Sequence, residues 1–186
     1  MDLPNLKPPL SVEAYIEDEL HSEVKHEYLA GEVYAMSGAS AAHNIIAGNL
    51  FSALHRHLRG GPCRVFMSDM KVRIQHARED YFYYPDVMVA CQPNDTARYW
   101  REQPKLIVEV LSESTERVDT REKVFAFQTI PALEEYVLLA QDRREATVFR
   151  RAEGWAACKV QGDALLELAS VSLTVGLGEV YEGVEG

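Results

Sequence analysis

The hydrophobic and polar positions of this 186-residue chain follow two different periods. Apolar residues recur at helical spacing over residues 41–59, where Ser40 is a candidate N-cap and Gly60 a stop. Ser11 stands in the same way before a shorter apolar-periodic segment that extends to about His21. The pattern therefore predicts two helices in the first third of the chain.

A period of two predicts strands in other segments. Lys25–Leu29 and Glu32–Met36 flank Ala30-Gly31, a two-residue connection typical of a hairpin. Arg64–Gln75 alternates as well and is interrupted near Ser68. Alternation there places three polar side chains on one face, which predicts that this face is solvated: Asp69, Lys71 and Arg73.

Two later segments, Tyr81–Cys91 and Pro104–Leu111, are apolar on both faces and predict strands covered on both sides. The polar stretch Gln92–Gln103 between them predicts a rim loop. Each strand carries one acidic residue where an apolar one is expected, Asp86 in the first and Glu109 in the second.

A lone carboxylate in such a strand has to be protonated, ion-paired, hydrogen-bonded or bound to a metal, because an unpaired buried charge costs several kcal/mol or more. Mg²⁺ takes oxygen ligands, often one or two carboxylates plus water. The alternative is that Asp86 and Glu109 each bond to a backbone N–H or to an arginine. The residues alone leave both interpretations open.

The remaining third of the chain predicts one more helix and several strands. Arg117–Thr129 is helical in pattern and ends before Pro131. An antiparallel meander and a further short strand are predicted after it, over Glu134–Ala140, Ala146–Arg151, Trp155–Val160 and Leu165–Val171.

The length and composition predict a single domain over residues 1–186, with Met1–Leu10 as an extended or disordered lead-in. No apolar run approaches the roughly 18 residues that a membrane helix needs, and the N-terminus lacks the apolar core of a signal peptide. The cytoplasm is the expected location. The cysteines are odd in number and far apart, so we expect buried thiols rather than a disulfide framework or a metal site at Cys63, Cys91 and Cys158.

The formal net charge of −10 argues against nucleic-acid binding by bulk electrostatics, which normally needs a basic excess. Any such contact has to come from a local basic patch. Two groups of side chains are candidates: Arg56, His57, Arg59, Arg64 and Lys71, or Arg98, Arg101 and Lys105. The alternative for each group is ordinary solvated surface charge.

The motifs around the lone acids resemble a known family. They are, in order, Lys25 to Tyr34, His43, Tyr84-Pro85-Asp86-Val87, Val108-Glu109-Val110-Leu111-Ser112, and Asp119 to Lys123. Together they resemble the PD-(D/E)XK nuclease superfamily, in particular the restriction-endonuclease-like family that is abundant in cyanobacteria and was long catalogued as a domain of unknown function. The resemblance covers roughly Ser11 to Arg151. It implies an α+β fold, in which a mixed central β-sheet is flanked by helices, and we expect the antiparallel meander as an addition to it.

The superfamily places a lysine two residues after the glutamate, where this chain has Leu111. The resemblance implies that the lysine has moved to the following helix, at Lys123. Lys71 is the other contender, if its strand pairs next to Asp86. Lys105 is a poor substitute, because four strand residues separate it from Glu109 by about 13 Å.

The resemblance further implies a Mg²⁺- or Mn²⁺-dependent endonuclease that hydrolyses DNA. In that interpretation Asp86, Glu109 and the carbonyl of Val110 hold the metal and Lys123 assists the water. Glu27 and His43 match positions at the edge of the same site, and Ser112 and Asp119 would fix the turn and helix that carry Lys123.

Two other classes of function stay open. One is a catalytically inactive or regulatory module that binds nucleic acid or protein on the same fold, and the net acidity favours it. The other is a structural homodimer whose acids form only ion pairs. As partners of the nuclease we expect DNA, no membrane, and a second copy of the chain, since double-strand cutters need two sites.

Overall fold

The computed structural model describes residues 9–112 and 122–184, in which the chain forms four helices and thirteen strands. The helices are α1 Val12–His21, α2 Ala41–Leu58, α3 Val124–Gln128 and α4 Leu177–Val180. The strands are β1 His26–Leu29, β2 Glu32–Ala35, β3 Arg64–Met67, β4 Lys71–His76, β5 Glu79–Tyr83, β6 Val87–Ala90, β7 Trp100–Arg101, β8 Pro104–Leu111, β9 Glu135–Ala140, β10 Glu145–Arg150, β11 Ala157–Gln161, β12 Leu165–Leu168 and β13 Leu173–Gly176.

The central sheet has six strands in the order β11-β10-β9-β8-β6-β3. Strands β8 and β9 are parallel, while the other pairs are antiparallel, so the sheet is mixed as predicted. The predicted meander β9-β10-β11 is confirmed, and it extends this sheet instead of forming a separate layer. The parallel β8–β9 pair needs a crossover, which contains α3.

A second sheet has the order β2-β1-β5-β4-β7 and packs against one face of the central sheet. The β1–β2 hairpin turns at Ala30-Gly31, where both residues have positive φ angles of 51° and 98°. Strands β12 and β13 form a third, two-stranded sheet. The predicted strand Leu165–Val171 is confirmed over β12 and ends earlier than predicted, while β13 was not predicted.

Side chains on the two faces of the central sheet enter two separate cores. Val87, Val108 and Val137 face α2, α4 and the β12–β13 sheet. Met88 and Tyr136 face α3 and the second sheet. Because both faces are covered, β6, β8 and β9 read as continuous apolar runs, as the sequence suggested.

The helices α1 and α2 confirm the predictions from spacing and capping. Ser11 Oγ accepts a hydrogen bond from the Ala14 N–H at 3.2 Å, and Ser40 Oγ accepts one from His43 N–H at 3.1 Å. Within the described residues, none of the helices is long and apolar enough to cross a membrane.

The prediction of one strand over Tyr81–Cys91 was wrong. The segment is two strands, β5 in the second sheet and β6 in the central sheet, and Tyr84-Pro85-Asp86 links them. Pro85 has no N–H for a ladder, and the Ser68 N–H instead lies 3.2 Å from each of the Pro85 and Asp86 carbonyl oxygens. Asp86 therefore lies at the start of β6, at the point where the chain passes from one sheet to the other.

The prediction of a solvated face around Lys71 was also wrong for that residue. Lys71 is only 5% exposed, and its ammonium lies 5.0 Å from the centre of the Tyr84 ring. Alternation along β4 identifies the face but cannot reveal that the β5–β6 link covers it.

The cysteine prediction was wrong in two respects. Cys63 and Cys91 form a disulfide, and Cys158 is exposed. Arg64 pairs with Ala90 in the antiparallel β3–β6 ladder, so the two cysteines continue that ladder at neighbouring positions. The sequence separation of 28 residues gave no sign that these two strands are neighbours.

The predicted helix Arg117–Thr129 is described only from Glu122 onward, where α3 begins at Val124. Residues 117–121 lie outside the described part of the chain. Leu133 and Phe127, which follow β8 through this crossover, are fully buried against the central sheet.

Candidate active site

Two hydrogen bonds hold Asp86 and Glu109 against each other. The Val110 N–H donates to Asp86 Oδ2 at 2.7 Å, and the Asp86 N–H donates to Glu109 Oε2 at 3.2 Å. They form because β6 and β8 are antiparallel neighbours, with Val87 opposite Val108. The Glu109 side chain is 4% exposed and that of Asp86 is 18% exposed. The two lone acids of the sequence therefore meet at one end of the β6–β8 pair.

The Lys123 ammonium lies between two carboxylates. Its Nζ is 3.4 Å from Glu109 Oε1 and 3.0 Å from Glu27 Oε1. The Lys123 side chain is 9% exposed, although it is located at the start of α3. A single cation thus joins an acid of the central sheet to an acid of the second sheet.

Glu27 lies on β1 and contacts the same ammonium as Glu109. Among the described residues, its Oε1 is one of two buried side-chain polar atoms without a well-oriented hydrogen bond, despite the proximity of Lys123. A buried carboxylate oxygen in that state can still accept a further donor or ligand.

His43 reaches the cluster from the first turn of α2. Its Nε2 lies 3.1 Å from Asp86 Oδ2, and Ser40 caps the turn that carries it. The Ser40 hydroxyl in turn donates to Gln141 Oε1 at 2.7 Å. Asp86 Oδ2 is therefore oriented from two sides, by the Val110 N–H and by the His43 imidazole.

Tyr83 forms an apolar wall beside the ion pairs. Its ring centre is 5.6 Å from the Lys123 ammonium, and the residue is 6% exposed. Burial raises the pKa of Tyr83 to about 12, and the nearby Glu27 carboxylate adds to this effect while Lys123 opposes it. Tyr83 is neutral at ordinary pH and lowers the local dielectric around Lys123.

The carboxylates of the cluster provide some of the oxygen ligands that a hard divalent cation needs, but too few to bind it without other ligands. Asp86 and Glu109 supply two neighbouring carboxylates, which is the protein contribution that Mg²⁺ commonly uses, and Glu27 offers an oxygen with spare capacity. Among the described residues, no three His, Cys, Asp or Glu side chains are grouped closely enough to ligate one ion unaided. Water and substrate oxygens would have to complete the shell.

Other predicted site residues lie elsewhere or are only partly described. Lys71 makes no ion pair with Asp86 or Glu109 in the described structure, and Lys105 pairs with Glu134 at 3.3 Å. Ser112 follows the end of β8, and Asp119 lies outside the described residues.

Several side chains of the two predicted basic patches are engaged locally. Arg56 pairs with Glu179 at 3.2 Å, and His57 Nε2 lies 2.9 Å from the Val171 carbonyl oxygen. The Arg64 guanidinium donates to the carbonyl of Gly61 at 2.8 Å. These three members of the first patch therefore already have partners within the chain.

Sequence reasoning missed Tyr83 and the polar group that its neighbour Tyr84 joins. Tyr84 donates its hydroxyl to Glu19 Oε1 at 2.7 Å, and Glu19 also accepts from the His26 N–H at 2.9 Å. The available signal was the Tyr83-Tyr84 pair directly before Pro85, two large polar aromatics at a sheet-to-sheet link.

Comparison with known proteins identifies the family of this chain. The family model Uma2, described as "Putative restriction endonuclease", matches residues 12–177. The chain is 34% identical over 180 residues to the uncharacterized protein slr1290 of Synechocystis sp., covering 95% of this chain and 94% of that protein. It is 35% identical over 135 residues to the uncharacterized protein sll1609 of the same organism, covering 71% of this chain and 75% of that one.

Among solved structures, the fold matches the crystal structure of a putative nuclease belonging to DUF820 from Anabaena variabilis. The TM-score is 0.77 with 15% sequence identity, and the match covers 95% of this chain and 100% of the other. The mixed α/β fold predicted from the sequence is therefore confirmed. Because the family match spans most of the described strands and every predicted site residue, the chain belongs to the Uma2 family of restriction-endonuclease-like proteins.

Proposed function

We propose that the chain is a Mg²⁺- or Mn²⁺-dependent endonuclease that hydrolyses phosphodiester bonds of DNA. The observation that carries the proposal is the meeting of Asp86 and Glu109, two lone acids of apolar strands, with the buried Lys123 ammonium 3.4 Å from Glu109. Membership of a family described as restriction endonucleases supports the same conclusion. The cytoplasm, where such a substrate is found, is the proposed location.

The metal would be held by Asp86 and Glu109, and the Val110 carbonyl is a further candidate. In a strand the N–H and C=O of one residue point to the same side, and the Val110 N–H already points to Asp86. The chemistry that such an ion supplies when bound is a lowered pKa of a water molecule and neutralisation of charge on the phosphate.

Lys123 would stabilise negative charge on the phosphate oxygens and orient the attacking water. In hydrolysis, one new P–O bond forms to the water oxygen while the bond to the leaving oxygen breaks, so charge accumulates on the other oxygens. An ammonium held in a buried site acts strongly on that charge, because the local dielectric is low. Glu27 and Glu109 hold the Lys123 ammonium in place through the two ion pairs.

His43 would act on the reaction through Asp86. The imidazole lies 3.1 Å from Asp86 Oδ2, and the Val110 N–H donates to the same oxygen. These two contacts orient the carboxylate, and Oδ1 is the oxygen that would ligate the metal. In this role His43 is a positioning residue. Replacement by asparagine should weaken metal affinity more than it lowers cleavage at saturating metal.

The test measures cleavage of plasmid DNA, linear DNA, single-stranded DNA and RNA. Mg²⁺ and Mn²⁺ are each added in a separate series. We expect wild type to cut DNA and Glu109→Gln to lose cleavage together with the Mn²⁺-induced rise in melting temperature. Glu23→Gln, which removes the same charge from an exposed side chain, is the matched control. Cleavage by Glu109→Gln at the wild-type rate would refute the proposal.

A second candidate is a binding module that keeps the fold without catalysis. The observation that favours it is that, in the described structure, Lys123 already pairs with Glu27 and Glu109 and the His43 imidazole already contacts Asp86. In that case a divalent ion would leave the melting temperature unchanged, in wild type and in Asp86→Ala alike.

For the nuclease we also propose a homodimer, because a symmetric pair presents one site to each strand of a duplex. Sedimentation equilibrium measures that state directly.

A further inference from the structure

The Lys123 ammonium contacts its two carboxylate neighbours in different ways. Its Nζ donates a hydrogen bond to Glu109 Oε1 at 3.4 Å. Glu27 Oε1 lies nearer, at 3.0 Å, but the angles of that contact are not those of a hydrogen bond. Glu27 therefore holds a buried acceptor, directly beside the ammonium, whose capacity is not used in this arrangement.

Glu27 is not placed to share one ion with Asp86 and Glu109. Within the described residues, no three side chains of the types that bind metals lie close enough together to hold one ion. Asp86 and Glu109 are joined directly, because the Asp86 N–H donates to Glu109 Oε2. The recorded link from Glu27 to Glu109 instead passes through the Lys123 ammonium. The partner of Glu27 is therefore the lysine, not the pair of acids that would hold a metal.

Among the described side chains of the cluster, carboxylates outnumber cations. Three carboxylates surround one ammonium, which leaves a net charge of −2 when all four groups are ionised and the His43 imidazole is neutral. Net charge in a buried site is costly. A divalent ion on Asp86 and Glu109 balances the charge of those two acids. The remaining pair, Glu27 and Lys123, is then neutral by itself.

Glu109 cannot serve a metal ion and the lysine equally well. Its Oε2 accepts from the Asp86 N–H, and its Oε1 accepts from Lys123 Nζ. A divalent cation on this carboxylate repels an ammonium in contact with it, and in a buried site that repulsion is weakly screened. The ammonium then needs another acceptor, and the oxygen recorded nearest to it is Glu27 Oε1.

We propose that Glu27 is a positioning residue, which retains the Lys123 ammonium when Glu109 binds the metal, and that Glu27 does not itself ligate the metal. The inference rests on the proposed function, since it concerns the metal-bound site. The hydrogen bond of Lys123 passes from Glu109 to Glu27 Oε1, the oxygen with unused acceptor capacity. Lys123 therefore stays paired at the site, instead of becoming a buried cation without a counter-charge.

The first test measures Mn²⁺ affinity without catalysis, by isothermal titration calorimetry. Glu27→Gln should weaken Mn²⁺ binding about 10- to 100-fold, the usual cost of losing a residue that supports the metal ligands, because the unpaired ammonium repels the ion. Lys123→Met should bind Mn²⁺ at least as tightly as wild type. In Glu27→Gln/Lys123→Met most of the lost affinity should return, because the repelling charge is gone. Glu23→Gln, which removes a carboxylate from an exposed residue, is the matched control and should bind like wild type.

A metal ligand at position 27 would give a different result. If Glu27 ligates the ion, Glu27→Gln weakens Mn²⁺ binding by the same factor with and without the lysine, and that outcome would overturn the inference. Unchanged Mn²⁺ affinity in Glu27→Gln would overturn it as well. If wild type itself binds no Mn²⁺, the proposed metal dependence fails and the inference falls with it. Melting temperatures without metal show that each variant is folded.

The second test measures single-turnover cleavage of DNA at saturating Mn²⁺, where differences in metal affinity no longer count. Glu27→Gln should lower the rate about 10- to 100-fold, and Glu27→Asp, which keeps the charge, should recover part of that loss. Lys123→Met and Glu27→Gln/Lys123→Met should be equally slow, since residues that act as a unit are not additive. A further loss in the double variant would overturn the inference and leave the proposed nuclease standing. If wild type binds Mn²⁺ but cuts no DNA, only the proposed catalysis fails, and the calorimetric comparison decides the inference.

Discussion

At the residue scale, substitution of Lys123 separates the two proposed roles of the site, charge stabilisation and metal binding. An ammonium cannot ligate Mg²⁺, so Lys123→Ala should retain the Mn²⁺-induced rise in melting temperature. Cleavage should fall by about 10²–10³, the usual cost of removing one donor to developing charge. The measurement is a single-turnover rate at saturating Mn²⁺, with Lys105→Ala as control. Equal rates for Lys123→Ala and wild type would assign the catalytic cation to another residue.

Glu145 carries a second residue-scale prediction, about pH. Gln161, Arg143 and Lys159 donate to its carboxylate and lower its pKa from 4.5 to about 2. Since the unfolded chain takes up this proton first as pH falls, the carboxylate contributes stability above pH 4.5 and loses it progressively toward pH 2.

Glu145→Gln should therefore lower the free energy of unfolding by about 1–2 kcal/mol at pH 7, since two of the partners are half exposed. The difference from wild type should shrink below pH 4.5. Urea melts at several pH values test this, with the exposed Glu23→Gln as control. A difference that is the same at pH 7 and pH 3 would contradict it.

The sequence alone could locate the two acids, because an acidic residue interrupts the apolar pattern of a strand and no tertiary information is needed to find it. It could not reveal the burial of Lys71, because the Tyr84 ring beside it belongs to a link between sheets that the sequence pattern predicts as uninterrupted strand. Lys123 was found through the family resemblance, since its own neighbourhood looks like an ordinary helix surface. Burial of long polar side chains depends on tertiary packing, which local periodicity does not encode.

At the element scale, α1, α2, the β1–β2 hairpin and the β9–β11 meander follow from caps, turn residues and period. β13 and the break at Pro85 were missed, because in both cases a short apolar run continues across the turn. Strand order could not be predicted, because local periodicity does not show which distant strands are neighbours. The disulfide was missed for the same reason, since it links the neighbouring strands β3 and β6 over 28 residues of sequence.

The Cys63–Cys91 disulfide makes an element-scale prediction about stability. It closes a loop of 28 residues, for which the chain-entropy relation gives about 3.5 kcal/mol as an upper value. Wild type in dithiothreitol and the double variant Cys63→Ser/Cys91→Ser should therefore have matching, lowered midpoints in guanidinium. Cys158→Ser is the control, since that thiol is exposed and free. An unchanged midpoint on reduction would show that the bridge adds nothing to stability.

At the scale of the whole molecule, the two sheets should differ in local stability. Every residue of β2 is exposed at the edge of the second sheet, whereas all six residues of β9 are buried in the central sheet. Hydrogen exchange followed by mass spectrometry should show residues 26–35 exchanging faster than residues 135–140, because edge elements with few buried contacts open with less free energy. Equal protection of the two segments would mean that the sheets unfold as one cooperative unit.

The Lys123 bridge between Glu27 and Glu109 has a consequence for the order of events in folding. Its members lie far apart in sequence, and Glu27 arrives with the second sheet while Glu109 belongs to the central one. Chain closure over such separations is slow compared with formation of the β9–β11 meander. A refolding chain should therefore regain its circular dichroism before the proposed nuclease activity. The delay between the two signals would measure how long the amino-terminal hairpin takes to dock.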